Sequence, residues 1–107
     1  MSEQFKVIYK ILSILAKSMD YPEFDVERLS AKALGISDPM RLRLLEMLLK
    51  KGYIEGIQIR KYIDESYPVV VGMENIQITM DGLAYLEENS LMKKASDIAK
   101  GIIDVLT

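Results

Sequence analysis

The chain has 107 residues, half of them hydrophobic, and a net charge of −2 at pH 7, which fits one domain with a packed core. It contains no Cys and no His, so disulfides, Cys/His zinc sites, thiol nucleophiles and Ser-His-Asp triads are excluded. No apolar run is long enough to cross a bilayer, and we expect no secretory signal ahead of the first helix. We expect a cytoplasmic protein with no cofactor, no metal and no membrane partner.

Three helices are predicted in the first half of the chain. The first covers residues 3–19, where apolar side chains recur every three or four positions, and it stops before Pro22. The second is capped by Asp25 and ends at Gly35, and the third opens at Asp38-Pro39 and ends at Gly52. A link of about three residues joins these two, as in a helix-turn-helix. Their predicted inner faces are formed by Val26, Leu29, Ala33, Leu44, Leu45, Leu48 and Leu49.

The spacing of apolar residues then changes from the helical period to a period of two. Polar and apolar side chains alternate over residues 57–63, which predicts a half-buried strand that includes Ile63. Residues 64–72 are predicted to hold a turn and a loose edge strand, where Pro68 is tolerated. Residues 76–78 alternate again and predict a second half-buried strand.

Helices are predicted again in the last part of the chain. Thr79 is expected to cap a fourth helix with Leu83 and Leu86 inward, and Asn89-Ser90 is expected to break it. A last helix, about residues 91–106, would carry an apolar stripe formed by Leu91, Ala95, Ile98, Ile102 and Leu106. The stripe can pack against a second copy or close onto the first helix of the same chain. We favour a homodimer, because the first helix already serves the core.

The order of three helices, a two-stranded wing and further helices is that of a winged helix. We therefore predict one domain over residues 1–107, mainly α with a small antiparallel β wing and an additional C-terminal helix. Charge is segregated along it. Residues 37–61 hold six basic and three acidic residues, a net +3, whereas residues 62–107 hold three basic and eight acidic residues, a net −5.

Two stretches of the chain carry a resemblance to a known family. Residues 48–54 read LLKKGYI, a helix end followed by glycine and a strand, which many winged-helix proteins share. Residues 78–90 read ITMDGLAYLEENS and are followed by MKKA at 92–95 and by residues 99–102. This region resembles the YjcQ-like family of small proteins from Gram-positive bacteria and their phages. The resemblance implies a winged-helix fold and a prophage origin, and it implies no activity and no site residues.

The third helix is the candidate recognition helix. Its outer face is predicted to carry Pro39, Arg43, Glu46 and Lys50, with Arg41 in the first turn. Arg41 and Arg43 would meet base edges near the amino end of the helix. The candidate phosphate anchors are Lys50, Lys51, Arg60 and Lys61.

A second interpretation of the same residues needs no nucleic acid. The outer face of the third helix can be an ordinary solvated face with local ion pairs around Glu46, and Arg60 and Lys61 can simply protect a sheet edge. The wing tip carries Asp64 and Glu65, which would repel phosphate. The negative net charge and the apolar terminal stripe favour this alternative.

Two functions from different classes therefore remain open. The first is a DNA-binding transcriptional regulator or a phage or prophage accessory protein, whose partner is double-stranded DNA. The alternative is a winged helix that binds another protein, in phage assembly or on a host protein. An enzyme is not expected, because phosphate loops are absent and nothing spaces Asp81, Glu87 and Glu88 as catalytic carboxylates.

Overall fold

The computed structural model describes the backbone of residues 2–99 and the side chains of residues 2–90. The described residues form four α-helices and four short strands, numbered in chain order. They are α1 (Glu3–Ser18), α2 (Ala31–Leu34), α3 (Asp38–Lys51), β1 (Ile54–Glu55), β2 (Gln58–Arg60), β3 (Val69–Val71), β4 (Gln77–Ile78) and α4 (Met80–Ala99). Single 3-10 turns at Val26–Leu29 and Met73–Asn75 precede α2 and β4. The order and the dominance of helix confirm the predicted winged-helix class.

The helix ends follow the local chemistry of the sequence, with small shifts. Asp25 accepts from the backbone N–H of Glu27, so it caps the 3-10 turn, and Ser30 caps α2. Ser37, not Asp38, is the cap of α3, because its hydroxyl accepts from the N–H of Met40 at 3.2 Å. Asp38 instead lies in the first turn, where its carboxylate suits the helix dipole. Gly35 and Gly52 end α2 and α3 in the left-handed conformation, as predicted.

The β structure consists of two antiparallel pairs that meet at a bend. The wing is the β2–β3 pair, with Gln58 opposite Val71 and Arg60 opposite Val69. The second pair joins β1 to β4, with Ile54 opposite Ile78. At the bend Gly56 has a φ of 94°, and a Cβ there would collide with the Asn75 carbonyl.

The predicted strand over residues 57–63 is wrong beyond Arg60. Its partner β3 begins only at Val69, after Pro68, which has no N–H to donate to a strand ladder. Residues 61–67 therefore form the exposed tip of the wing. Ile63, which we expected on a buried face, is fully exposed.

One hydrophobic core joins the helices to the β structure. Its buried side chains are Val7, Ile8, Ile11, Leu12, Leu15, Leu29, Leu34, Leu44, Leu45, Leu48, Ile54, Ile57, Ile76 and Ile78. The predicted second helix is divided at Ser30 into the 3-10 turn and the single-turn α2, which buries Leu34 and leaves Ala33, predicted inward, exposed. Leu83 was also expected inward and is 37% exposed, whereas Leu86 packs against the core.

The start of α4 is bonded to the end of α3. The Thr79 hydroxyl donates to the Gly52 carbonyl and accepts from the N–H of Gly82 at 3.1 Å, which confirms Thr79 as the cap of α4. Gly82 lies so close to β1 that a Cβ there would collide with the Tyr53 carbonyl and lie 2.7 Å from Ile78 Cγ1. One turn later the Tyr85 ring lies 5.1 Å from that of Tyr53. Burial raises the pKa of the Tyr85 phenol, and its coulombic interaction with Tyr53 raises it further.

The predicted break at Asn89-Ser90 is wrong, because α4 continues through it to Ala99. The Asn89 side-chain amide donates to the Tyr85 carbonyl at 2.9 Å, so this polar side chain bonds to the preceding turn of the helix. The predicted helix over residues 91–106 is thus, up to Ala99, a continuation of α4. Leu91, Ala95 and Ile98 lie on α4, and their side chains, together with Ile102 and Leu106, fall outside the described part. The described helix packs along α1.

Candidate nucleic-acid interface

The outward face of α3 carries exposed cations. Arg43, Lys50 and Lys51 are exposed, and Arg43 and Lys50 lie two helical turns apart, about 10.5 Å along the axis. Glu46 is half-buried, and the side chain exposed near the middle of the helix is Met47, at 54%. The Glu46 carboxylate, which we predicted on this outer face, therefore belongs to a side chain that is less exposed than Arg43 and Lys50.

Arg41 has a different position from Arg43. Its side chain is half-buried, and its Nε donates to the Leu29 carbonyl at 2.6 Å. The bond ties the first turn of α3 to the 3-10 turn before α2, so Arg41 joins the two halves of the helix-turn-helix. The sequence carried a signal for this role, because Arg41 precedes the buried Leu44 and Leu45 by three and four residues and shares their face of the helix.

We predict that Arg41→Ala lowers the free energy of unfolding by about 1.5–3 kcal/mol, the range for hydrogen bonds that involve a charged group. The substitution leaves the Leu29 carbonyl without its donor at a partly buried position. Urea denaturation followed by circular dichroism measures the change.

Arg43→Ala is the matched control, because the same side chain is removed from an exposed position two residues away. It is expected to change stability by less than about 0.5 kcal/mol. Equal losses in both variants would show that the bond to Leu29 does not contribute.

The wing adds two more exposed cations. Arg60 ends β2, and its Nε donates to Gln58 Oε1 at 2.9 Å, which holds the guanidinium along the strand. Lys61 follows at the start of the tip, and the acidic Asp64 and Glu65 lie exposed further along it. The cations thus occupy the β2 side of the wing, and its outermost part is acidic.

The wing tip also exposes large apolar side chains, which sequence reasoning missed. Ile63 is fully exposed, and Tyr62 and Tyr67 are 50% and 77% exposed. The alternating pattern predicted Ile63 on a half-buried strand, but β2 ends at Arg60 and no partner strand pairs with Ile63, so its side chain is exposed. The outer part of the wing therefore presents aromatic and aliphatic groups beside two carboxylates.

Comparison with protein-family models tests the family resemblance carried by residues 78–102. The model described as YjcQ protein matches residues 9–105. The chain belongs to the YjcQ family. No curated protein and no solved structure matches it.

The described part of this YjcQ-family protein holds neither a metal-ion site nor a membrane-spanning helix. Among the residues whose side chains are described, no group of three or more Asp, Glu, His or Cys is arranged to hold a metal ion. Within residues 2–99, no helix combines the length and the apolar character that a membrane span requires.

Proposed function

We propose that this YjcQ-family protein binds double-stranded DNA in the cytoplasm, as a transcriptional regulator or a phage or prophage accessory protein. The observation that carries the proposal is the exposed cationic face of α3, formed by Arg43, Lys50 and Lys51, within a helix-turn-helix that is followed by a wing. In this mechanism α3 enters the major groove and the wing lies along the sugar-phosphate backbone. No catalytic step is part of the proposal.

The exposed cations divide into two roles. Arg43 lies in the amino-terminal half of α3, where its guanidinium can fork onto a guanine edge. Lys50 and Lys51 at the end of α3, with Arg60 and Lys61 on the wing, serve as phosphate contacts. Arg41 contributes mainly by fixing the angle between the two helices, since its Nε is already bonded to Leu29.

Salt dependence tests the electrostatic part of this proposal. Four phosphate contacts predict that log K against log salt concentration falls with a slope of roughly −3.6. Fluorescence anisotropy with a labelled random-sequence duplex, titrated at several salt concentrations, measures it. The double variant Lys50→Ala/Lys51→Ala is expected to weaken binding about tenfold or more and to reduce the slope by about 1.8.

The matched control is Lys6→Ala/Lys17→Ala, which removes the same charge from exposed positions on α1. It is expected to keep both the affinity and the slope of the parent chain. A salt-independent titration, or an equal loss in the two double variants, would refute DNA binding by this face.

The exposed wing tip favours a second candidate function, in which the domain binds a protein in phage assembly or in the host. Tyr62, Ile63 and Tyr67 lie beside Asp64 and Glu65, and aromatic side chains are enriched where proteins meet. The two functions differ in the residues they need. DNA binding needs Lys50 and Lys51, whereas this alternative needs the apolar tip and tolerates their loss.

We also propose that the chain is a homodimer through the stripe of Leu91, Ala95, Ile98, Ile102 and Leu106. Two modules bound to two half-sites reach an affinity that one module alone does not. The packing of α4 along α1 supports the competing interpretation, in which the stripe closes onto its own chain. Light-scattering mass with and without duplex DNA distinguishes one copy from two.

A further inference from the structure

A groove lies on the molecule apart from the cations of α3 and the wing. It has a volume of about 730 Å³ and is open to solvent. One wall is the end of α1 with the turn that follows it, residues 18–24, and the other is β4 with the segment before it, residues 74–78. This volume falls within the roughly 300–1,000 Å³ of ordinary ligand sites. None of the candidate DNA contacts lines it.

The backbone of β4 presents hydrogen-bonding groups toward the side away from β1. Thr79 N–H donates to the Tyr53 carbonyl at 3.0 Å, which makes Tyr53 and Thr79 a hydrogen-bonded pair at the end of the β1–β4 ladder. Hydrogen-bonded and non-hydrogen-bonded pairs alternate in antiparallel ladders, so Ile54 and Ile78 form a non-hydrogen-bonded pair. The N–H and C=O of Ile78 therefore point away from β1, and no further strand pairs with β4 within residues 2–99.

The side chains around this edge select the chemistry of an occupant. Glu23 and Glu74 place a carboxylate on each wall, and no Lys or Arg is among the described residues that line the groove. Met19 and Tyr21 add exposed apolar surface, at 64% and 68% exposure. The groove thus combines an unpaired strand edge, negative charge and an apolar rim.

We propose that this groove binds an extended peptide segment of another protein, one that carries Lys or Arg, by strand addition to β4. The peptide backbone pairs with the N–H and C=O of Ile78, as in other cases of β-augmentation. Its cationic side chains reach Glu23 and Glu74, and its apolar side chains cover Met19 and Tyr21. The site is independent of DNA binding, because it shares no residue with the α3 and wing cations.

The probe is a capped hexapeptide with three Lys-Val repeats, titrated into the full chain and followed by the amide resonances of the protein. Saturable shifts are expected at Gln77, Ile78 and Thr79, with slower hydrogen exchange of the Ile78 amide. The double variant Glu23→Gln/Glu74→Gln is expected to weaken binding roughly 2- to 30-fold, as two solvent-exposed ion pairs would. The control Glu87→Gln/Glu88→Gln removes the same charge from α4, outside the groove, and is expected to bind like the parent.

Two N-methylated versions of the peptide separate strand addition from simple charge attraction. One carries methyl groups on its three lysine amides and the other on its three valine amides. A strand added to β4 uses the amides of one set only, so one version is expected to lose binding and the other to keep it. Equal binding of the two versions, shifts confined to α3 or the wing, or no saturable shift overturns the proposal.

Discussion

Gly82→Ala is expected to destabilise the protein by about 3 kcal/mol, at the upper end of the usual range for overpacking. Alanine is ordinarily the better residue inside a helix, by about 1 kcal/mol. Here the added Cβ would collide with the backbone carbonyl of Tyr53 and crowd Ile78 Cγ1, and a backbone group cannot turn aside as a flexible side chain does. The start of α4 must therefore move away from β1, which also strains the bonds of Thr79.

Chemical denaturation of Gly82→Ala beside Gly35→Ala measures this steric cost. Gly35 ends α2, and nothing lies within 4 Å of the position that a Cβ would take there. An alanine at Gly35 is therefore strained only by the left-handed backbone conformation. The Gly35 variant is expected to lose only about 1–2 kcal/mol. Unchanged or increased stability in Gly82→Ala would mean that α4 does not approach β1 this closely.

Leu45→Ala is expected to lower the free energy of unfolding by about 3–4 kcal/mol, since a buried leucine loses both its transfer free energy and the contacts that surround the new cavity. Leu45 is fully buried in the middle of α3 and belongs to the hydrophobic core. Natural domains unfold with about 5–15 kcal/mol, so this loss is a large fraction of the total. The midpoint in urea is expected to fall with the slope m unchanged.

Met47→Ala provides the comparison on the same helix. It shortens a side chain of similar size two residues away, where the side chain is 54% exposed. The expected loss is below about 1 kcal/mol, because little apolar surface returns to water. Similar losses at the two positions would contradict the described orientation of α3, and with it the assignment of the outward cationic face.

The features that the sequence predicted well are those set by neighbours along the chain. The helical spacing of apolar residues located α1 and α3, and the glycines that end α2 and α3 were recognised from local backbone chemistry. The strand end was missed because a strand requires a partner. Ile63 continues the alternating pattern, yet β3 begins too late in the chain to pair with it.

The candidate site likewise contains features that the sequence predicts and features that appear only in the folded chain. The exposure of Arg43 and Lys50 follows from their shared helix face, which the sequence shows directly. Arg41 could also have been assigned from the helix face it shares with Leu44, although its acceptor, the Leu29 carbonyl, is visible only after the helices are packed. The groove beside β4 could not be predicted, because its two walls are separated by about fifty residues and meet only in the folded chain.

The composition of the wing has an evolutionary consequence. The buried residues of the core stop at Ile57 and resume at Ile76, and every residue from 61 to 67 is exposed. Insertions and deletions at the hairpin tip therefore change neither the core nor the pairing of β2 with β3, and long surface loops add little closure entropy. Related chains can acquire wing tips of new length and composition, and hence new recognition properties, while the scaffold formed by α1, α2 and α3 stays the same.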